Sequence, residues 1–385
     1  MNLVPFGETC KLQNGRAFKP IEWSDFGVPI IRIQNLNDET KPFNYCNFEV
    51  DEKFHINTGD LLFSWSGTPG TSFGAFFWKR GKGFLNQHIF RVDVDERKVD
   101  KAYLRYAINS KLYMIIDQAH GGVGLKHITK GKLEAVEIPL PSLAEQKRIA
   151  AILDKADAIR RKRQQAIQLA DEFLRSVFLD MFGDPVTNPK GFAVGTIRDL
   201  VDTANYGSSS KASKTNGEYP ILRMGNITYE GSWDFSDLKY IDLNEKDKSK
   251  YTLKKGDLVF NRTNSKELVG KTAVYEENAP MAFAGYLIRV RPNEKGNSYY
   301  LSGYLNSKHG KNTLQNMCKS IVGMANINAQ EMQDIRILNP PIEMQEKYEK
   351  VVIETRKKLR AFHESKVGFN ELFLSLSQKA FAGKL

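Results

Sequence analysis

Cysteine is scarce in this sequence of 385 residues: only Cys10, Cys46 and Cys318 occur, far apart and odd in number. There is no CxxC pair and no Cys/His cluster, so the sequence supports neither a disulfide framework nor a zinc site. No run of about 20 apolar residues occurs, and the opening MNLVPFGETC lacks a basic segment followed by an apolar one. These absences argue against a membrane-spanning or secreted protein, and we expect a cytoplasmic location and no membrane partner.

Acidic residues are fewer than basic ones, with 45 Asp and Glu against 56 Lys and Arg and a net charge of +11. A basic surplus favours a polyanionic partner such as double-stranded DNA, because neutralised phosphates release their counterions. A basic protein that is merely soluble is the alternative. The hydrophobic share of 41% and the charged share of 26% are ordinary globular values, and the length suits two or three domains.

The sequence contains an internal duplication. Five blocks recur in the same order at separations of 191 to 199 residues: VPIIRIQNL and YPILRMGNI, GDLLF and GDLVF, YLRYAINSK and YLSGYLNSK, LKHITKGKLEAVEIPLP and MANINAQEMQDIRILNP, and Gln146 with Phe182 matching Gln345 with Phe381. Each copy is far longer than the repeats of solenoid proteins, so the pattern indicates a duplicated domain.

Each copy combines a mixed part with a long helix. The mixed part has short β-like runs separated by loops rich in glycine, asparagine, serine and lysine, then a helix from about Lys101 or Ser298 and a strand leading to prolines. Neither proline nor glycine interrupts residues 142–182, and Gly368 is the one glycine of residues 342–381. Apolar residues recur there three or four positions apart, which predicts two helices of about 60 Å with coiled-coil spacing.

We therefore predict an α+β fold with a pseudo-two-fold internal repeat: two similar mixed α/β domains separated by two long antiparallel helices that form a coiled coil. The predicted boundaries are 1–140 for the first mixed domain, 141–183 for the first long helix, 184–339 for the second mixed domain and 340–385 for the second long helix.

Several motifs carry a resemblance to a known family: IPLPSLAEQKRIAAIL with its Glu145-Gln146, FGDPVTNPKGF from Phe182, the two NSK blocks and the paired GDLxF strands. With them, nearly the whole chain resembles the specificity subunits of type I restriction–modification enzymes. The second copy departs from the pattern, because it reads NPPIEMQEK and its glutamate is displaced to Glu343. Contacts made by that turn therefore need not match those of the first copy.

The resemblance implies that the mixed domains are target-recognition domains, each reading one half of a split DNA site. It implies that the helices, the central and distal conserved regions, set the spacing and dock two modification subunits, which bind S-adenosylmethionine and methylate adenine. Restriction subunits that translocate and cleave DNA join them, and ATP and Mg are expected on the partner subunits. This chain is then non-catalytic and binds no cofactor. The rival hypotheses are a self-contained duplicated DNA methyltransferase or nuclease, and a scaffold that binds only protein.

Two loops that follow the matched GDLxF strands offer candidate DNA contacts. The candidates are Trp65, Ser66 and Thr68 in the first copy, and Asn261, Arg262, Thr263, Asn264, Ser265 and Lys266 in the second. Arginine pairs with guanine and asparagine with adenine in the major groove. Loops that differ after matching strands are what two different half-sites require, although variable surface loops without DNA contact give the same pattern.

A second set of candidates lies further along each copy. Asn86, Gln87 and His88 are possible base readers, with a satisfied strand histidine as the alternative for His88. Lys126 in GGVGLKH and Lys319 in KSIVGMAN are possible phosphate anchors, with a plain turn as the alternative. The matched Arg32 and Arg223 contact phosphate or form a structural ion pair, and we favour the ion pair.

No catalytic or metal-binding residue is predicted. Asn339-Pro340-Pro341-Ile342 resembles an adenine methyltransferase motif but lacks its aromatic residue, and we interpret it as a strand-to-helix turn. Gly270-Lys271-Thr272 resembles a P-loop but has Ser265 where the first glycine of that motif is required.

Overall fold

A computed structural model describes residues 2–67, 73–117, 119, 126–321 and 324–385. The chain divides into two compact units, which we call unit 1 (Met1–Arg163 with Ser365–Leu385) and unit 2 (Gln164–Glu364). Each unit contains one mixed α/β part and a portion of both long helices. The long helices are therefore shared between the units rather than standing as separate domains.

Unit 1 contains twelve of the described strands and four short helices. The strands are β1 Leu3–Pro5, β2 Cys10–Asn14, β3 Val28–Ile31, β4 Asn44–Cys46, β5 His55–Ile56, β6 Leu61–Ser64, β7 Ser66–Gly67, β8 Gly74–Phe77, β9 Gly83–Leu85, β10 Ile89–Val94, β11 Lys126–His127 and β12 Glu137–Pro139. The helices are α1 Ile33–Asn37, α2 Lys101–Ser110, α3 Leu112–Asp117 and α4 Lys130–Glu134.

Unit 2 repeats this plan within its described residues. Its strands are β13 Ala193–Thr196, β14 Val201–Tyr206, β15 Tyr219–Leu222, β16 Lys239–Ile241, β17 Leu258–Asn261, β18 Thr263–Asn264, β19 Thr272–Val274, β20 Ala282–Phe283, β21 Leu287–Pro292, β22 Lys319–Ile321, β23 Met324–Asn326 and β24 Arg336–Asn339. Its short helices are α6 Glu245–Tyr251, α7 Ser298–Asn306, α8 Lys308–Met317 and α9 Ala329–Gln333.

The sheets of the two units have the same strand order. The main antiparallel sheet is β2-β10-β6-β8 in unit 1 and β14-β21-β17-β19 in unit 2. A second sheet contains β4-β3-β9 in unit 1 and β16-β15-β20 in unit 2, with a parallel pairing of β3 to β9 and of β15 to β20. The duplication predicted from the sequence is thus present in the strand pairing.

The repeated GDLxF motif is a turn that leads into a buried strand. Gly59 has a φ of +97° and Gly256 a φ of +93°, a backbone region that glycine adopts readily and other residues rarely. The strands that follow, β6 and β17, are buried at every position. The glycine is therefore required by the turn geometry, and the apolar residues after it are required by the core.

The repeated Arg-x-x-Asn of the first sequence block ends its strand. The buried side chains of Asn35 and Asn226 accept hydrogen bonds from the backbone N–H of Arg32 and Arg223, at 3.1 and 2.9 Å. A side chain that satisfies a backbone donor in this way competes with continued sheet pairing. Strands β3 and β15 consequently end at Ile31 and Leu222, immediately before the arginine.

The two long helices, α5 Leu143–Phe182 and α10 Ile342–Phe381, have nearly the bounds predicted from the sequence. In unit 1 the first half of α5 meets α10 and the residues after it: the Arg160 guanidinium lies 5.6 Å from the ring centre of Phe373 in α10, and Arg148 donates to the carbonyl of Leu385, beyond the end of α10, at 2.8 Å. In unit 2 the late residue Phe178 of α5 packs edge-on against Tyr348 of α10, with ring centres 5.4 Å apart. The helices therefore pack antiparallel within each unit, as predicted.

Each unit has its own core where the helices meet the main sheet. In unit 1, Tyr103 of α2 is fully buried, and its hydroxyl donates to the Pro139 carbonyl at 2.7 Å. In unit 2 the matching Tyr300 of α7 is also buried, and its hydroxyl donates to the Leu338 carbonyl at 2.6 Å. Both tyrosines thus join a matched helix, α2 or α7, to the strand that precedes a long helix.

Candidate nucleic-acid interface

In unit 1 the two predicted DNA-contact loops lie together. Strand β7 follows the GDLLF strand directly and pairs antiparallel with β11, with Ser66 opposite His127 and Gly67 opposite Lys126. The residues that the sequence places 60 positions apart therefore form one small sheet, which we call the loop sheet of unit 1. Thr68 lies outside the described residues, and of Lys126 only the backbone position is described.

Unit 2 brings the corresponding loops together in the same way. Strand β18 pairs with β23, placing Thr263 opposite Asn326 and Asn264 opposite Ala325. Strand β22 pairs with the other edge of β23, with Lys319 also opposite Asn326. We call these three strands the loop sheet of unit 2. The side chain of Lys319 lies outside the described residues.

The backbone hydrogen bonds of Trp65 and Arg262 are equivalent. The Trp65 N–H donates to the His88 carbonyl at 3.3 Å, and the Arg262 N–H donates to the Tyr286 carbonyl at 3.0 Å. The Trp65 carbonyl accepts from Ile128 at 3.0 Å, and the Arg262 carbonyl accepts from Ile327 at 2.9 Å. Tryptophan and arginine therefore occupy one structural position in the two copies, and His88 corresponds to Tyr286.

In unit 1 this position is aromatic. The Trp65 ring stacks on Phe90 at 5.7 Å and lies 5.5 Å from the His88 ring. Trp65 Nε1 and His88 Nδ1 are buried and have no hydrogen-bond partner among the described residues. Burial, together with the nearby Arg32, lowers the pKa of His88, so the imidazole is neutral at neutral pH. Buried polar atoms without partners are uncommon and indicate that a partner is supplied from outside the chain or by water.

In unit 2 the same position holds a cation. The Arg262 guanidinium carbon lies 4.9 Å from the centre of the Tyr206 ring, and no atom of the described chain forms a hydrogen bond with the buried Arg262 Nε. The Tyr206 hydroxyl accepts a hydrogen bond from the Ala329 N–H at 2.9 Å. Tyr206 is 42% exposed, and Tyr286, whose carbonyl accepts the Arg262 N–H, is 54% exposed.

The remaining candidates differ in exposure. Asn261 has no exposed surface, and its amide donates to the Leu268 carbonyl at 3.4 Å. Asn86 is also buried, and its amide donates to the Gln87 side-chain oxygen at 2.9 Å. Ser66 and Thr263 are buried too, whereas Gln87, Asn264 and Ser265 are half-buried and Lys266 is exposed. Asn86 and Asn261 therefore support their loops, and a base contact by either requires its loop to move.

Tyr206 and Tyr286 were not among the residues predicted from the sequence. Tyr206 lies opposite Ile288 in the sheet, as Asn14 lies opposite Phe90 in the first copy. A residue-by-residue comparison of the duplicated strands would have singled out both tyrosines, because each replaces a different residue type at a matched strand end.

The matched arginines of the first sequence block have different partners. Arg223 forms an ion pair with Asp237 at 2.8 Å, as we favoured. Arg32 donates to the Asn44 side chain at 2.9 Å and lies 5.2 Å from the Trp23 ring centre. In both copies the arginine thus holds the segment that follows β3 or β15. It does so through an ion pair in unit 2 and through a hydrogen bond to a neutral side chain in unit 1.

The two motifs that resemble catalytic signatures have structural roles. Strand β24 ends at Asn339 and α10 begins at Ile342, so the Asn-Pro-Pro segment is the predicted strand-to-helix turn. Lys271 is buried, and its amine donates to the carbonyls of Met224, at 3.0 Å, and of Ile227. Among the described residues there is no group of three His, Cys, Asp or Glu side chains that could hold a metal ion.

A family model described as the type I restriction modification DNA specificity domain matches residues 1–169 and 189–352. The chain belongs to this family. One match falls on each copy of the duplication, and together they cover most of the sequence. The prediction of a DNA specificity subunit, with a recognition role rather than a catalytic one, is confirmed.

Curated relatives and a solved structure agree with this assignment. The chain is 24% identical to the EcoKI specificity subunit of Escherichia coli K12, across 75% of this chain and 67% of that protein. It is 23% identical to the EcoBI specificity subunit of Escherichia coli, across 99% of this chain and 85% of that protein. The crystal structure of the type I restriction–modification S subunit from M. genitalium has a TM-score of 0.63 at 14% identity, covering 99% of this chain and 96% of that one. The predicted two-copy fold is confirmed by that likeness.

None of the described helices combines the length and the apolar character needed to cross a membrane.

Proposed function

We propose that the two units read the two halves of a split DNA site, each through its loop sheet and the residues beside it. The observation that carries this proposal is the matched position of Trp65 and Arg262. Equivalent backbone hydrogen bonds present an indole in one unit and a guanidinium in the other. Two copies of one scaffold with different side chains at the same place are suited to two different base sequences.

The long helices are proposed to dock two modification subunits, and restriction subunits join that complex. S-adenosylmethionine binds the modification subunits, and ATP and Mg bind the partners rather than this chain. The complex acts in the cytoplasm. The fold supports the docking role, because α5 and α10 each run for 40 residues and keep exposed apolar side chains such as Leu169, Phe173 and Leu374.

The test is selection of DNA from a random duplex library by the full chain in complex with its modification subunits. A two-part motif with a fixed gap is expected, because each unit contributes one half. Substituting Trp65 by alanine should alter one half and leave the other unchanged. A single uninterrupted motif would contradict the proposal. Methyl transfer by the chain alone, with S-adenosylmethionine and DNA, would support the rival methyltransferase hypothesis.

A further inference from the structure

Comparison of the two copies distinguishes arginines that support the fold from one arginine that does not. Arg91 and Arg289 are matched, and each donates from Nη1 to a backbone carbonyl at 2.7 Å, to His55 in unit 1 and to Thr252 in unit 2. Arg262 has no arginine counterpart, because Trp65 takes its place. The equivalent tryptophan position folds with the same backbone hydrogen bonds, so the fold does not require the guanidinium of Arg262.

Within the described residues, the guanidinium of Arg262 has no partner of opposite charge. No hydrogen bond or ion pair joins its side chain to another part of the described chain, and its Nε is buried without a partner. A buried or half-buried guanidinium normally has carboxylate or carbonyl partners, because removing it from water without them costs free energy. Its terminal nitrogens are therefore available to a ligand that carries acceptors.

Tyr206 fixes the orientation of that guanidinium. The guanidinium lies over the tyrosine ring, and the ring is held by the hydrogen bond that the Tyr206 hydroxyl accepts from the Ala329 N–H. Contact between the planar guanidinium of an arginine and an aromatic face is favourable, and it leaves the N–H donors at the edge of the guanidinium open to a ligand. The pair is thus arranged before any ligand binds, so less conformational entropy is lost on binding.

We propose that Arg262 reads a guanine in the half-site recognised by unit 2, with Tyr206 as its positioning residue. This inference rests on the proposed function. The two forked N–H donors of arginine match the O6 and N7 acceptors of guanine in the major groove. The indole of Trp65 has a single N–H donor and cannot form that bidentate pair, so unit 1 does not read a guanine from the matched position.

A phosphate contact by Arg262 makes a different prediction, and three variants separate the two. Arg262→Gln replaces the guanine-matching fork by an amide that pairs with adenine, so one position of one half-site should change from guanine towards adenine. Arg262→Lys keeps the charge and loses the planar fork, so discrimination at that position should fall on the order of tenfold to a hundredfold. Tyr206→Leu should weaken the same preference, because the guanidinium loses its platform.

The experiment is duplex-library selection with the full chain and its modification subunits, repeated at two salt concentrations. The unchanged half-site of unit 1 reports that each variant folds and assembles. Arg198→Gln is the matched control, because Arg198 precedes the start of β14, whose two ends lie roughly 17 Å apart with Tyr206 at the far one, and it pairs with Asp334. It should leave both halves unchanged.

Loss of guanine preference at one position, in the half-site opposite to the one that Trp65→Ala alters, supports the inference. An unchanged motif with uniformly weaker, less salt-dependent binding would mean a phosphate contact and would overturn it. An unchanged motif with unchanged affinity would overturn it as well. If the wild-type complex selects no two-part motif, the proposed function itself fails, and the inference fails with it.

Discussion

The side-chain oxygen of Gln146, in the first turns of α5, accepts a hydrogen bond from the backbone N–H of Asp100 at 2.8 Å. The same buried amide donates to the carbonyls of Pro141 and Lys98 at 2.8 and 3.3 Å. One side chain thereby joins the long helix, the proline turn before it and the start of α2. The matching Gln345 donates to the carbonyls of Pro340 and Lys295, but its oxygen is buried without a partner.

This difference predicts unequal stability effects for the two glutamines. Gln146→Ala removes three hydrogen bonds and should lower the free energy of unfolding by about 2–4 kcal/mol, since buried groups are left unpaired. Gln345→Ala removes two and also deletes an unsatisfied oxygen, so its effect should be about 1 kcal/mol smaller. Urea unfolding of each variant checks this, with hydrogen exchange at the start of each long helix as a local readout. Equal losses at both sites would contradict it.

The ion pair of Arg356 and Glu276 in unit 2 is mostly shielded from water, with side chains 17% and 14% exposed and an Nη1–Oε1 distance of 2.9 Å. Arg356→Ala should destabilise unit 2 by about 2–3 kcal/mol, because the Glu276 carboxylate stays mostly shielded from water and loses this guanidinium. Combining Arg356→Met with Glu276→Leu should recover much of that loss, since both charges are then removed. Thermal unfolding measures both variants.

The exposed pair of Arg198 and Asp334 supplies the comparison for that experiment. Arg198→Ala should cost no more than about 1 kcal/mol, because water screens the charges. If the double variant of the buried pair were as unstable as Arg356→Ala alone, buried charge would not be the cause.

Lys311 should make the stability of unit 2 depend on pH. Burial, with a smaller effect of Arg175, lowers the pKa of Lys311 to about 8 from the ordinary 10.5. Between those values the unfolded chain holds more protons than the folded one, so the lysine's contribution to the free energy of unfolding rises with pH. Urea unfolding at pH 8 and pH 9.5 should show this rise in the wild type and a smaller one in Lys311→Met. An identical pH dependence in both proteins would exclude Lys311 as its source.

The length of the two long helices should set the gap between the two halves of the DNA site. Removing about one turn, four residues, from the middle of both α5 and α10 shortens each by roughly 5–6 Å. The preferred gap between half-sites should then change by about one to two base pairs, while both half-sequences stay the same. Library selection with gaps of graded length measures this. Altered half-sequences would show that the helices do more than set a distance.

The long helices were predictable because their signals are local and uninterrupted. Residues 142–182 contain no proline or glycine and keep a regular apolar spacing, and α5 begins two residues after the predicted start. The strands were predictable for another reason: two copies of each pattern gave independent evidence for one fold.

The candidate site was predictable as a region and less so residue by residue. The loops after GDLxF do meet the glycine-containing loops, as strands β7 with β11 and β18 with β23. Whether a polar side chain faces solvent depends on sheet register and on neighbours distant in sequence. Asn261 is buried for that reason, and Tyr206 reaches Arg262 from a strand more than 50 positions away.

The equivalent hydrogen bonds of Trp65 and Arg262 involve backbone groups alone, and this affects how the DNA specificity of the protein can evolve. At these strand ends the main chain makes the hydrogen bonds that the fold requires, whereas the side chains are the groups proposed to recognise DNA. An indole and a guanidinium are both accommodated there. The side chain at this position can therefore be replaced, and the recognised DNA sequence changed, while every intermediate protein still folds and assembles.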